Sequence, residues 1–416
     1  MEQKQALKGV KVANFAWVGV GPLHVRYLAL HGATVVRVES HARPDTLRLM
    51  MPYRGGPGIN NSPWFAEINP NAYGISINMG KPSGLEIAWR LIEWADIMIE
   101  SFIPGTMKKW SLDYENVRKK KPDIIYVSTC QMGQTGPYAK FAGFGYQAGG
   151  ISGFTYISGM PDTTPGPTQI AYTDVIAPRF GAAALLAALD YRRRTGKGQY
   201  LEQGQFETSC HFLAPHIMDY LISKRVLERN GNRNPSAAPH GVYPCRGSDR
   251  WCALAVFNDE EWRSLACVMG RSELADAPSF ATVLARKKNE DELDALIAGW
   301  TLDRTAEQLE AMLQAAGIAS AVVADTEDLV SDPQLRSQGY FKKLKHSVVG
   351  EHLYRTMGFT MSRTPPELER PGPALGEHNE YVFKELLHMT DDEIADALAE
   401  GGVTTEADLP QISASL

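Results

Sequence analysis

The stretch that most constrains this chain is its beginning, where 9-GVKVANFA-16, 22-PLHVRYLALHG-32 and 33-ATVVRVES-40 follow one another directly. The outer two are short runs rich in valine and read as buried strands. The middle one reads as a helix closed by Gly32. A strand, a helix and a second strand in succession imply a crossover between parallel strands. The pattern recurs: helix 82-PSGLEIAWRLIEWA-95 opens with proline and leads into strand 96-DIMIES-101, and 123-DIIYVST-129 is a further strand. An α/β fold around a parallel sheet is expected.

Further along, 174-DVIAPRFGAAALLAALDYRRRTGKGQY-200 contains a run made almost entirely of Ala, Leu and Gly. It reads as a helix buried on every side and ended by Gly196 and Gly198. A long amphipathic helix is expected between about 203 and 230, followed by the polar break 229-RNGNRNPSAAPHG-241. Beyond it, 251-WCALAV-256, an acidic helix from Asp259, 288-KNEDELDALIAGW-300, 303-DRTAEQLEAMLQAAG-317 and strand 318-IASAVVA-324 form a compact α/β segment. The polar 332-DPQLRSQG-339 reads as a return linker, and 390-TDDEIADALAEGG-402 as a last helix capped by Thr390.

With 416 residues, 44% hydrophobic and 22% charged, the chain has the composition of a soluble globular protein and room for two or more domains. A net charge of −6 gives no support for nucleic-acid or membrane partners, and the basic 118-RKKK-121 reads as a solvated helix end. The five cysteines are odd in number and lack ligand spacing, and the histidines are scattered. No metal site or disulfide framework is expected, and a reduced, cytoplasmic setting is. No apolar signal core opens the sequence, and no unbroken stretch of about 18 apolar residues crosses a bilayer. The turn 19-GVGPL-23 lacks the third glycine of a dinucleotide fingerprint, and Pro22 is simply a good helix opener. The segment 149-GGISGF-154 lacks the context of a serine nucleophile elbow.

Asp174 stands out as a lone acid at the mouth of an apolar helix. Pro178 is expected to begin the regular helix, leaving Asp174 in its approach. A helix cap and a carboxylate held there to react are both consistent with these residues.

Taken in order, the segments 8-KGVKVANFAWVGVGP-22, 28-LALHGATVVRVES-40, 43-RPDTLR-48, 98-MIESFIPGTM-107, 122-PDIIYVSTCQMGQTGPYA-139, 174–200, 237-AAPHGVYPC-245, 315-AAGIASAVV-323, 331-SDPQLRSQGYF-341 and 375-LGEHNEYVFKELL-387 resemble the class III CoA-transferase family, which includes formyl-CoA and carnitine CoA-transferases and α-methylacyl-CoA racemases. The resemblance implies a large Rossmann-like domain built from both chain ends (1–225 and 336–416), with a parallel sheet. It also implies a small inserted α/β domain (226–335) and an interlocked dimer. Asp174 falls at the family's catalytic aspartate, which implies covalent transfer of CoA from an acyl-CoA donor, succinyl-CoA for example, to a carboxylic acid through an aspartyl-CoA thioester. No permanently bound cofactor is implied; CoA thioesters are substrates. Trp17, Val18, Gly19, Val20, Ser101, Phe102, Lys109 and Phe144 fall at positions that contact CoA or the acyl group. Backbone N–H groups near Gly149, Gly150 and Gly153 are expected to stabilise oxyanions.

The racemase branch places a histidine where this chain has Phe144, and no His lies between 42 and 210, which favours transfer over racemisation. The phosphate clamp is thinner than the family's: positions usually basic read Ser40, His41, Ala72, Tyr73 and Ala142, and the Asn-Phe-Arg-Pro-Gly motif reads Ser101, Phe102, Ile103, Pro104 and Gly105. Arg37, Arg48, Lys108 and Lys140 lie near in sequence. Such thinning fits either a rearranged clamp or a subunit that needs a paralogous partner, as in two-subunit members such as succinyl-CoA:benzylsuccinate CoA-transferase. A silent subunit and an isomerase are the alternatives. Glu39 and Asp45 are expected to fix local backbone, Met50 to help line an apolar acyl site, and His240 and Tyr243 to be weaker candidates for it.

Overall fold

The computed structural model describes residues 5–141, 143–166 and 169–410. The chain divides into two compact units, one of Met1–Thr155, Pro167–Arg225 and Arg336–Leu416, the other of Tyr156–Gly166 and Val226–Leu335.

The first unit holds a six-stranded parallel sheet of β1 (Lys11–Asn14), β2 (Thr34–Glu39), β3 (Tyr73–Ser76), β4 (Ile97–Glu100), β5 (Ile125–Cys130) and β6 (Gln199–Gly204), in the order β3-β2-β1-β4-β5-β6. Alternate residues of each strand supply two separate cores, as the two-residue period of a strand requires. Val12, Val35, Ile97, Ile99, Ile125 and Val127 face Val25, Leu28 and Ala29 of α1 (Val20–Leu30). Ala13, Val36, Met98 and Tyr126 face Ile87, Leu91 and Ile92 of α2 (Pro82–Trp94) and Val117 of α3 (Tyr114–Lys120). The C-terminal segment completes this second core with Val382, Phe383, Ala397 and Val403. All six sheet strands come from residues 11–204; the other chain end adds helices and an antiparallel hairpin, Phe341–His346 with Gly350–Arg355. Thr390 caps the helix Asp391–Ala399 by accepting from the Glu393 N–H, and the basic run ends α3 in its last turn.

Two helical expectations change. After α4 (Gly145–Ile151), α5 spans Tyr172–Thr195 and buries one face only. Leu185, Ala188 and Leu189 join the first core, while Phe180 and Leu186 are exposed. Its small residues serve close approach: a Cβ on Gly181 would lie 1.9 Å from Nε2 of His24 on α1. Among the described residues α5 is the one helix long and apolar enough, by length and composition, to cross a membrane, and half of that stretch is buried inside the protein. The long helix expected over 203–230 is instead the end of edge strand β6, then α6 (Gln205–Cys210), one 3-10 turn and α7 (Ala214–Ser223). Pro215 suits a helix opening and not an interior. Gly204 makes the strand-to-helix corner, because a Cβ there would lie 1.9 Å from the Glu207 carboxylate. No residue of α7 is buried, and Ile217, Met218, Tyr220, Leu221 and Ile222 are exposed along it.

The second unit has a three-stranded antiparallel sheet, His240–Pro244, Trp251–Ala255 and Ala319–Val322. Helices Asp259–Val268, Glu290–Thr301 and Ala306–Ala315 contribute Trp262, Leu265, Leu293, Ile297, Leu309 and Leu313 to its core. The stretch read as a linker contains the short helix Pro333–Ser337.

Candidate active site

The sheet reverses its order of growth between β1 and β4, and ligands of doubly wound sheets bind where the segments leaving such strands diverge. Here the two segments are stitched together. The Trp17 N–H donates to Ser101 Oγ at 2.8 Å, the Ser101 hydroxyl donates to the Trp17 carbonyl at 3.2 Å, and the Trp17 and Phe102 rings meet edge-on at 5.6 Å. Val18 has φ of +60°, a conformation a β-branched residue rarely adopts. Its N–H is held by both Asp45 oxygens, at 3.2 and 2.9 Å.

Asp45 belongs to a buried cluster of four charges. Arg37 pairs with Asp45 and donates to the Ala16 carbonyl; Arg48 grips Glu39 through Nε at 2.9 Å and a terminal nitrogen at 2.8 Å. Arg37 Nε lies 3.5 Å from Glu39 as well. Glu39 and Asp45 thus fix the backbone of the first turn. Arg37 and Arg48, expected near a phosphate clamp, are buried and committed here instead.

Asp174 lies in the first turn of α5, which begins at Tyr172; Pro178 is inside the helix, so the expectation that the helix starts there is corrected. Proline has no N–H to return to the carbonyl four residues back, which leaves Asp174's own carbonyl outside the helical ladder. The side chain is no cap, since its hydrogen-bond donor is the Gln205 Nε2 of α6, 2.5 Å from Oδ1. Two glycines make room for the carboxylate. A Cβ on Gly145, at the start of α4, would lie 2.5 Å from Oδ1, and one on Gly19 would lie 3.6 Å from Oδ2. The Thr173 hydroxyl donates to the Gly145 carbonyl at 3.2 Å and ties α4 to α5. Burial pushes Asp174 up to about 6, and the Gln205 amide only partly offsets it. No charged side chain among the described residues contributes to that shift.

Of the residues singled out in the sequence, Trp17, Val18, Gly19, Ser101 and Phe102 come together on these paired segments, with Gly19 against Asp174 and Val20 opening α1. Phe144 precedes α4 and is 62% exposed, and Lys109 is exposed with no ion pair among the described residues. Met50 is exposed too. Gly149 and Gly150 sit inside α4, where N–H groups serve the helix, and the Gly153 N–H donates to the Gly150 carbonyl at 3.2 Å. The expectation that these three supply oxyanion donors is therefore corrected. Ala142 lies outside the described residues. His41 is buried, its Nδ1 2.7 Å from Ser76 Oγ. Tyr243 donates to Asp294 at 2.7 Å and His240 packs edge-on to Phe257, both partners lying in the second unit.

Three residues were not anticipated. Gln205 and Gly145 meet Asp174 across 31 and 29 residues of chain, with no local pattern to announce them. The exposed Arg43 sits over the Trp17 ring at 5.9 Å. Elsewhere in the unit, Glu100 borders a cavity of about 280 Å³ with Tyr114, Tyr126, Ser128 and Tyr200. Burial lifts Glu100 to about 7 against the Ser128 hydroxyl and the Phe102 N–H. Asp174 does not line that cavity. Among the described residues no cluster of three or more His, Cys, Asp or Glu could hold a metal ion.

The model of CoA-transferase family III matches residues 7–379. A succinyl-CoA–D-citramalate CoA-transferase of Chloroflexus aurantiacus is 33% identical over 389 residues, covering 94% of this chain and 96% of that relative. The beta subunit of a succinyl-CoA–L-malate CoA-transferase from the same organism is 30% identical over 396 residues, covering 94% and 96%. A solved CaiB/BaiF family protein from Brucella suis matches with a TM-score of 0.86 at 31% identity, covering 92% of this chain and all of that one.

Proposed function

This chain belongs to CoA-transferase family III and is an acyl-CoA:carboxylate CoA-transferase; from that premise we propose that Asp174 carries CoA as a covalent thioester. The observation that supports it is a partly desolvated carboxylate that has, among the described residues, one neutral side-chain partner and no cation, set beside the sheet's reversal point. An Asp174 oxygen attacks the donor's thioester carbonyl, the C–S bond breaks, and CoA thiolate leaves a mixed anhydride. The thiolate then attacks the Asp174 carbonyl carbon and expels the donor acid. An acceptor carboxylate displaces the thiolate from the aspartyl thioester, and the thiolate finally attacks the acceptor's acyl carbonyl, freeing Asp174. Each step exchanges one acyl bond for another, with no water consumed. Partial desolvation strengthens the nucleophile and protects both intermediates from hydrolysis. At pH 7 a group titrating near 6 is roughly nine-tenths ionised, hence ready to attack.

Succinyl-CoA is the proposed donor and a small dicarboxylic acid the proposed acceptor, in line with the names of the two relatives. Trp17, Val18, Gly19, Val20, Ser101 and Phe102 form the wall the thioester passes; Arg43, Lys108 and Lys109 are the exposed cations offered to its phosphates. Phe144, exposed ahead of Gly145, borders the acyl side. The reading includes a second subunit, a copy or a paralogue: the uncovered apolar side of α7, with Phe212, Phe180 and Leu186, is larger than scattered surface residues account for. One relative being named a beta subunit supports the paralogue as a second form of that reading. Assaying the purified chain with succinyl-CoA and D-citramalate, L-malate or glutarate tests it. New acyl-CoA with at least one acid, from acceptor labelled with heavy oxygen that reappears in released succinate, is the expected result. Hydrolysis without label transfer contradicts it.

A further inference from the structure

Gln205 opens α6 directly after β6, so its place is set by regular structure. β6 pairs with β5 through Thr129 with Gln203 and Cys130 with Gly204, and the next N–H, that of Phe206, donates to the Gln131 carbonyl at 3.0 Å. The residue is only 5% exposed, and its amide nitrogen lies 2.5 Å from Asp174 Oδ1. That oxygen is also the one beneath Gly145, while Oδ2 faces the Gly19 turn. The two carboxylate oxygens thus have different surroundings, one tethered and one turned toward the segment that follows β1.

A neutral donor suits this place for a chemical reason. A cation would hold the carboxylate firmly as an anion and weaken it as a nucleophile, and an apolar side chain would leave a buried charge without a partner. An amide donates with the same geometry to a carboxylate oxygen, to an acyl carbonyl oxygen and to the oxyanion between them. From the β1 turn Asp174 meets Gly19, from α4 Gly145, and from α6 Gln205; none of these is charged.

Resting on the aspartyl-thioester reading, we propose that Gln205 is a second catalytic residue: its amide holds Oδ1 while Oδ2 attacks, then stays on Oδ1 as that oxygen becomes the aspartyl carbonyl and takes up negative charge in the two tetrahedral adducts formed at the Asp174 carbonyl carbon. No bond to Gln205 forms or breaks, and the proton remains on its nitrogen throughout. Removing one such donor from an oxyanion costs about 10²–10³-fold in kcat where it has been measured in other enzymes.

The test compares Gln205→Leu, Gln205→Glu and Gln205→Asn with the unmodified chain across pH 5–9, alongside thermal unfolding. In Gln205→Leu the plateau kcat falls about 100-fold with KM within a few-fold, and the acid limb of the profile moves upward because the donor favouring the ionised form is gone. In Gln205→Glu the limb moves further up, since two carboxyls then share the place. Gln205→Asn, which keeps an amide one carbon short, loses less than Gln205→Leu. An unchanged plateau and limb in Gln205→Leu overturns the proposal; so does a loss that only tracks unfolding and is equal in Gln205→Asn. If Gln205→Leu does not fold, a Gln205→Asn profile identical to the unmodified one overturns it, and a lowered plateau with a shifted limb supports it. Absence of CoA on Asp174 in the unmodified enzyme defeats the underlying reading, whereas CoA on Asp174 together with an indifferent Gln205→Leu defeats the role of Gln205 alone.

Discussion

Asp45 and Asp174 are aspartates of the same unit, on either side of the turn Trp17–Gly19, and their surroundings are opposite in kind. Asp45 is fully buried yet meets the guanidinium of Arg37 and the N–H groups of Val18 and Leu47. Burial pushes its pKa up and Arg37 pulls it back, while its neighbour Glu39, also opposed by burial, is held below the usual range by Arg48 and Arg37. Asp174 is less buried but has, among the described residues, a single neutral side-chain donor and no cation. The first arrangement spends charge on shape: it fixes Val18 in a backbone conformation the residue resists. The second leaves charge unsatisfied at the place that shape creates. Strain and under-compensation lie side by side, as expected where a fold gives up stability for chemistry.

Substitutions on the two sides separate these roles. Asp174→Asn is expected to lower transfer more than about 10³-fold, since the covalent route is lost altogether, as steady-state assay with succinyl-CoA checks. The same change is expected to stabilise the fold at neutral pH. The raised pKa means the folded state holds its proton more tightly than the unfolded one, so stability falls as pH rises from about 4 to about 6 and is flat above. Asn removes that loss, by about 1 kcal/mol after discounting for partial exposure, read as a higher Tm. Asp45→Asn works the other way: it leaves Arg37 under-compensated in the interior and costs about 3 kcal/mol in denaturant unfolding. Gly145→Ala puts a methyl group 2.5 Å from Oδ1 and is expected to lower kcat about 100-fold. Gly19→Ala, with its methyl at an ordinary 3.6 Å from Oδ2, is expected to lower it far less. In the unmodified enzyme, kcat/KM should rise with pH through about 6 and then level off, because the ionised form of Asp174 is the nucleophile. Arg43→Ala is expected to give the smallest effect, a KM for succinyl-CoA raised about three- to tenfold, as for loss of one partly exposed phosphate contact. A succinyl-pantetheine donor, which has no phosphates, should not respond.

The parts legible in the sequence were those whose physics is local. β1, β2, β4 and β5 are buried on both faces and show as apolar runs; β3 and β6 are sheet edges, written YGIS and QYLEQG, and their half-polar residues hide them. Thr390 was recognisable because a cap acts over three residues. Asp174 was recognisable as an acid out of place, yet its helical position was obscured by Pro178, which the helix tolerates inside. Gly145, Gln205 and Arg43 carry no such signal, because each matters only through a partner far along the chain. Arg37 and Arg48 looked free in sequence and are not, since pairing with Glu39 and Asp45 is decided by the fold.

The central claim is tested most directly by trapping. The enzyme is mixed with succinyl-CoA in the absence of acceptor, quenched in acid, digested and read by mass spectrometry. The account predicts CoA bound through a thioester to the peptide containing Asp174, removed by hydroxylamine and absent from Asp174→Asn. An unmodified Asp174 peptide from a preparation that transfers CoA once acceptor is added, or a CoA adduct on another residue that survives in Asp174→Asn, would contradict it.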